Sequence, residues 1–184
     1  MDENSKLKNL NKKIMANWCF NRVTFSGSAQ AIEQVNNLFK AMAAKEKAEV
    51  CGQLPDYIDL PTDEAWGSEY FFEIKQEDNE DNNGCIFHYA TKWSPNFEIV
   101  LEIADRYRLD FIQEYEELGC LLFGKAIYTN GVFNNIGLED EDFQKYSYEE
   151  ATGHWLFENE SYENEQDILR ILLDRKTADQ TAQH

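Results

Sequence analysis

Between residues 17 and 116 the apolar side chains recur at a period of about two, then of three to four, then of two again. The order of that switching constrains the fold more than any other feature of the chain. In NWCFNRVTFS, Trp18, Phe20, Val23 and Phe25 give a mixed alternation that stops at Gly27, which is a strand pattern. Ser28 is placed as an N-cap, and Ile32, Val35, Leu38, Phe39 and Met42 follow at helical spacing to about Lys47. The stretch from Gln53 to Trp66 holds Pro55 and Pro61 and reads as loop. EYFFEIK (69–75) and CIFHYAT (85–91) are strand-like and flank a polar hairpin whose turn chemistry is Asn83-Gly84. Ser94-Pro95 opens a second helix, with Ser94 as its cap and Phe97, Val100, Leu101 and Ala104 on its apolar side. LDFIQEYE (109–116) alternates again.

Strand, helix, strand, strand, helix, strand is the split βαβ order. The fold class is therefore α+β: a ferredoxin-like antiparallel sheet with two helices on one face. A strand near 120–128, broken at Gly124, adds to the edge as a hairpin with 109–116. Residues 130–150 are rich in Asn, Gly and acid, 155–157 reads as a last short strand, and EQDILRILLDR (165–175) as a compact helix. The other sheet face is left for this C-terminal strand and helix extension or for a partner. The organisation is then a flexible basic extension at 1–14, a core at 15–131, an acidic extension at 132–176 and a tail at 177–184. With 184 residues this is one domain with an annex.

Charge narrows the function. The formal net charge is −18, and it is unevenly placed. Residues 51–184 carry 30 acidic and 9 basic side chains, whereas residues 1–50 carry 5 acidic and 8 basic. A basic footprint supplies most non-specific affinity for nucleic acid, so direct nucleic-acid binding is not expected. No run of 18 apolar residues spans a membrane, and Met1 to Met15 has no apolar centre of a secretory signal. Cys19, Cys51, Cys85 and Cys120 follow no CxxC spacing, so they read as reduced thiols and the location as cytoplasmic.

Catalytic and metal-binding patterns are weak. His88 lies mid-strand, and its neighbour Cys85, three residues away, points to the opposite sheet face. Asp78, Glu80 and Asn82 fall at the first ligand positions of a calcium loop, but Asn83 stands where the glycine belongs and Tyr89 where the closing glutamate belongs. There is no phosphate loop, and carboxylates are too abundant to single out a pair. No catalytic residue, cofactor or metal is assigned. Gly119 and Gly124 read as strand-end and bulge residues. The tryptophans Trp18, Trp66 and Trp93 read as core or as walls of a shared pocket.

The segment Ala16-Asn17-Trp18-Cys19, with Asn21, Val23 and Gly27 after it, resembles the YubB ferredoxin-like family, proteins of plasmids, phages and other mobile elements. Trp66-Gly67-Ser68-Glu69-Tyr70, Thr91-Lys92-Trp93-Ser94-Pro95 and Glu114 to Gly119 with Phe123-Gly124 are similar to further family segments, in order over residues 15–131. Glu69, Tyr70 and Lys92 depart from the family's Lys, Trp and Pro. The resemblance implies a ferredoxin-like fold without an iron–sulfur cluster and brings no catalytic residues.

The reading that follows is a non-catalytic interaction module: an acidic inhibitor, or nucleic-acid mimic, that blocks a host nucleic-acid-binding protein. Its partner presents a basic surface. The contacting residues are Glu77, Asp78, Glu80 and Asp81 at the hairpin, and Glu139, Asp140, Glu141 and Asp142 in the later loop. Phe143, Tyr146 and Tyr148 are the aromatic anchors nearby. The alternatives are an enzyme acting on small molecules or nucleotides, and an accessory protein of conjugation or replication machinery.

Overall fold

The computed structural model describes residues 17–60, 67–77 and 84–181. The first strand β1 (Trp18–Ser26) leads into helix α1 (Ala29–Glu49). Then come β2 (Phe72–Glu77), β3 (Gly84–Lys92), helix α2 (Phe97–Tyr107) and β4 (Asp110–Glu117). A 3-10 turn at Leu118–Cys120 leads to β5 (Leu122–Thr129) and β6 (Val132–Gly137). After the single-turn helix α3 (Asp140–Phe143) the chain forms β7 (Ser147–Glu149), β8 (His154–Phe157), β9 (Glu160–Tyr162) and the last helix α4 (Glu165–Thr181). Strands β1 to β6 form one antiparallel sheet in the order β2-β3-β1-β4-β5-β6, and β7 to β9 form a small second sheet.

Local chemistry places these boundaries. The Ser28 hydroxyl accepts the Ala31 N–H at 3.2 Å, which caps α1 as its sequence predicts. Ile32, Val35, Phe39 and Met42 form the buried stripe of α1, and Val50, in the left-handed region at φ 55°, ends it. Alternation in β1 turns Cys19, Asn21, Val23 and Phe25 toward the helices and Phe20, Arg22 and Thr24 away. Under α1 and α2 the core is phenylalanine-rich: the Phe39 ring stacks on Phe87 at 4.0 Å and meets Phe71 edge-on at 5.5 Å.

Several sequence expectations are corrected. The cap residue of α2 is Asn96, not Ser94, and it makes no side-chain cap bond; Asn96 turns inward to accept the Tyr89 hydroxyl at 2.8 Å. Gly124 sits in unbroken register opposite Tyr115 rather than in a bulge. A side chain there would strike the Tyr115 hydroxyl and the Ile136 carbonyl, so close approach explains the glycine. The ladder irregularity lies in β2, between Phe72 and Lys75, where Glu73 has φ 55°. β8 is followed by β9 and so is not the last strand, and α4 runs on through 177–181 instead of stopping near 175. The hairpin turn at Asn83 lies outside the described residues.

The second sheet face is covered in part. Ile168, Leu169, Leu172 and Leu173 of α4 pack on Phe123 of β5, Ile136 of β6, Leu138 and Phe157, forming a second core. Beyond α4 this face presents Phe20, 55% exposed, and Ile112, 45% exposed.

Candidate functional site

The acidic segment after β6 divides into carboxylates the fold uses and carboxylates it does not. Around α3, the Glu139 side chain accepts the Asp142 backbone N–H, and the Asp142 carboxylate accepts the Glu139 N–H at 2.9 Å, a reciprocal capping box. Asp142 also receives Lys145 Nζ at 2.7 Å and Lys176 Nζ at 3.3 Å, and Lys176 reaches Glu139 at 3.4 Å. Burial opposes its ionisation, but the Glu139 N–H and the two ammonium groups outweigh that and hold the Asp142 carboxyl below the usual carboxylate range. Phe143 and Tyr146 pack into the second core, where the Tyr146 hydroxyl donates to Glu165 at 2.5 Å. Burial, with the Glu165 carboxylate second, pushes the Tyr146 phenol upward.

Asp140, Glu141 and Glu150 are exposed and make no ion pair among the described residues. Glu149 accepts the Thr152 hydroxyl at 2.6 Å. Tyr148 is 52% exposed and leans on Trp155 at 5.1 Å. Of the predicted residues, Asp140, Glu141 and Tyr148 thus face outward, whereas Asp142, Phe143 and Tyr146 serve the packing of α3 and α4. Asp78, Glu80 and Asp81 lie outside the described residues. Glu77, in edge strand β2, stands across the six-stranded sheet from this segment, roughly 20 Å or more away at the usual strand spacing.

Glu77 belongs to a charged network on the second sheet face. The register aligns three rows there. Phe72, Ala90, Phe20, Glu116 and Phe123 form one; Lys75, His88, Arg22, Glu114 and Lys125 form the next; Glu77, Ile86, Thr24, Ile112 and Ile127 form the third. The Glu77 Oε2 atom meets His88 Nε2 at 2.6 Å and Arg22 Nε at 3.4 Å. Arg22 Nη1 reaches Glu114 at 3.0 Å. The hydrogen bond from His88, and then that from Arg22, hold the Glu77 carboxyl below its ordinary value. Where this face meets α4 there is a cleft of about 370 Å³, lined by Phe20, Arg22, Glu114, Glu116, Lys125 and Asp174 among others. Sequence reasoning missed the cleft because its walls come from four strands and a helix far apart in the chain.

The segments that carry the family resemblance converge on a buried polar joint under α2. Asn21 Nδ2 donates to the Cys19 carbonyl at 2.9 Å and to Thr91 Oγ1 at 3.0 Å. The Thr91 hydroxyl donates to the Ser94 carbonyl at 2.6 Å, and Asn96 Nδ2 to the Glu69 carbonyl at 3.3 Å. Gln113 Nε2 joins the network through Asn21 Oδ1 at 2.9 Å. These residues lock β1, β3, β4 and the start of α2 together, which is a packing role. Trp18 and Trp93 are instead 39% and 41% exposed, and Trp66 lies outside the described residues. Burial pushes the Cys19 thiol up to about 12, so it stays protonated and is no nucleophile at neutral pH. Among the described residues, no three His, Cys, Asp or Glu side chains converge as metal ligands.

No helix among the described residues is long and apolar enough to cross a membrane. No curated protein and no solved structure matches the chain. One family model does, over residues 69–158, from the segment before β2 to the end of β8. That stretch of the chain is similar to the ferredoxin-like domain in Api92-like protein.

Proposed function

We propose that this protein is a non-catalytic interaction module that binds a basic surface of a nucleic-acid-binding protein and competes there with phosphate. The observation that carries the reading is the set of outward carboxylates Asp140, Glu141 and Glu150, which make no ion pair among the described residues, grouped along the chain with exposed Tyr148. Neighbouring like charges such as Asp140 and Glu141, or Glu149 and Glu150, repel. A cationic partner relieves that repulsion, and each Lys or Arg it pairs is withdrawn from nucleic acid. Tyr148 supplies the amphipathic anchor such contacts use. The YubB-like resemblance extends this reading to a mobile-element protein acting on a host defence complex in the cytoplasm.

The test is capture from a host lysate on the immobilised full chain, with a parallel column of the Asp140→Asn, Glu141→Gln, Glu149→Gln, Glu150→Gln variant. The expected result is a basic nucleic-acid-binding protein, identified by mass spectrometry, that the wild type retains, the variant does not, and an excess of short DNA duplex releases. Equal retention by both columns, or retention indifferent to duplex, contradicts the proposal.

A further inference from the structure

We infer that the cleft between the second sheet face and α4 receives an arginine side chain of the partner, its guanidinium set on Glu116 between the rings of Phe20 and Phe123. This rests on the reading that the partner is basic, and it adds a second, chemically specific contact.

The register places Phe20, Glu116 and Phe123 directly across from one another on β1, β4 and β5, on the face away from α1 and α2. Directly opposed side chains on adjacent strands have Cβ atoms about 5 Å apart, so the carboxylate stands between two aromatic side chains. Phe20 is 55% exposed at the mouth of the cleft, and Phe123, 8% exposed, forms its wall.

Charge accounting selects the occupant. Each Arg and Lys lining the cleft is already answered within the chain, and His88, also in the lining, meets Glu77 at 2.6 Å. Arg22 is held by Glu77 and Glu114, Lys125 lies 3.9 Å from Asp174, and Arg170 pairs with Asp167 at 3.4 Å. Among the described residues Glu116 is the one carboxylate of the lining that makes no ion pair. An anionic ligand would add to its charge. A cation is drawn in, and rings on either side favour one that is planar and weakly hydrated. Guanidinium meets all three demands: it stacks on aromatic faces, forks onto a carboxylate and leaves its methylene stem against apolar walls.

The probe is the tripeptide N-acetyl-Gly-Arg-Gly-amide, titrated into the full isotope-labelled chain at constant ionic strength and followed by amide NMR. Saturable shifts are expected at Phe20, Glu116 and Phe123. Glu116→Gln should weaken binding about tenfold, as loss of a charge-assisted hydrogen bond does. Phe20→Ala should weaken it about threefold through the lost cation–π contact. The citrulline analogue, of the same shape but neutral, should not bind. The inference is overturned if no saturable shift appears, if the citrulline or lysine peptide binds equally well, or if Glu116→Gln changes nothing. It is also overturned if the same amides shift with protein concentration alone, which would make a second copy the occupant. The variant neutralised at residues 140, 141, 149 and 150 separates the two proposals, because it should bind the tripeptide normally. If it loses the captured partner while Glu116→Gln keeps it, the cleft inference fails and the acidic reading stands. If Glu116→Gln loses tripeptide and partner while the neutralised variant keeps both, the acidic reading fails alone.

Discussion

On one side of the six-stranded sheet two helices close over Phe25, Phe71, Phe87 and Phe111. On the other, one helix, α4, packs with Leu138 and Phe157 over Phe123 and Ile136. The first core is built from interlocking rings; Phe25, Phe71, Phe87 and Phe111 are each at most 1% exposed. The second core sets the Ile and Leu side chains of one helix against Phe123, Ile136, Leu138 and Phe157, and beyond that helix Phe20 and Ile112 stand exposed. A face needs about one helix for every two strands, since helices pack 8–10 Å apart and strands about 4.8 Å. One helix on six strands therefore leaves open sheet, and in this chain that is where the cleft forms. The lesson is that the better-covered layer holds the fold while the more open one offers surface.

Truncation of each core should separate the layers most strongly. Phe39→Ala removes the ring that stacks on Phe87 and meets Phe71, at a cost of about 3–5 kcal/mol, and should loosen the whole molecule. Leu169→Ala should cost about 2–5 kcal/mol. Its effect should be local, with faster amide exchange in β7 to β9 and α4 while β1 and β3 keep their protection. If protection falls uniformly in Leu169→Ala, the two cores are one cooperative unit and the contrast drawn above is wrong.

The buried polar joint gives the next largest effect. In Asn96→Ala the Tyr89 hydroxyl and the Gln113 amide lose an acceptor in a buried position, which should cost about 1–3 kcal/mol by denaturant unfolding. A loss near zero would mean that β3 and β4 hold the start of α2 without this joint.

A smaller effect sharpens the second layer. Asp142→Ala removes half of the capping box and two ammonium contacts, and should lower stability by about 0.5–2 kcal/mol at neutral pH. The sign of the pH dependence follows from the depressed Asp142 carboxyl. Its contribution is complete above the unfolded value near 3.9, and it fades as pH falls through the lower folded value. The wild type should therefore lose α4 protection as pH drops below about 4, and the difference from Asp142→Ala should shrink over the same interval. A constant difference down to acid would contradict the assignment.

The first layer was legible in the chain because each element is long enough to show its period. β1, α1, β3, α2 and β4 each fall within two residues or so of where alternation and helical spacing place them. β2 is displaced toward Glu77 because its irregularity at Glu73 breaks the alternation that marks a strand. The second layer was hardly legible. β7 and β9 have three residues each and α3 has four, too few for either period to show. Phe143 and Tyr146 look like surface anchors in the sequence because acid and amide residues surround them, but packing on the second core half-buries them. The charge row of Arg22, His88 and Glu77 is a product of register, and register is not written in any one segment. Outward Asp140 and Glu141 were legible from charge alone.

The smallest structural change bears on the central claim. Neutralising Asp140, Glu141, Glu149 and Glu150 to Asn and Gln should alter stability by no more than about 0.5 kcal/mol, because Asp140, Glu141 and Glu150 are exposed and glutamine at 149 keeps an acceptor for the Thr152 hydroxyl. Its association with the captured partner should nonetheless slow. The decisive measurement is the association rate of wild type and variant with that isolated partner across a series of salt concentrations. If the outward carboxylates make the contact, the variant associates more slowly at low salt and its rate depends less steeply on salt than that of the wild type. If rate and salt slope are unchanged, the acidic segment serves only to keep the protein in solution.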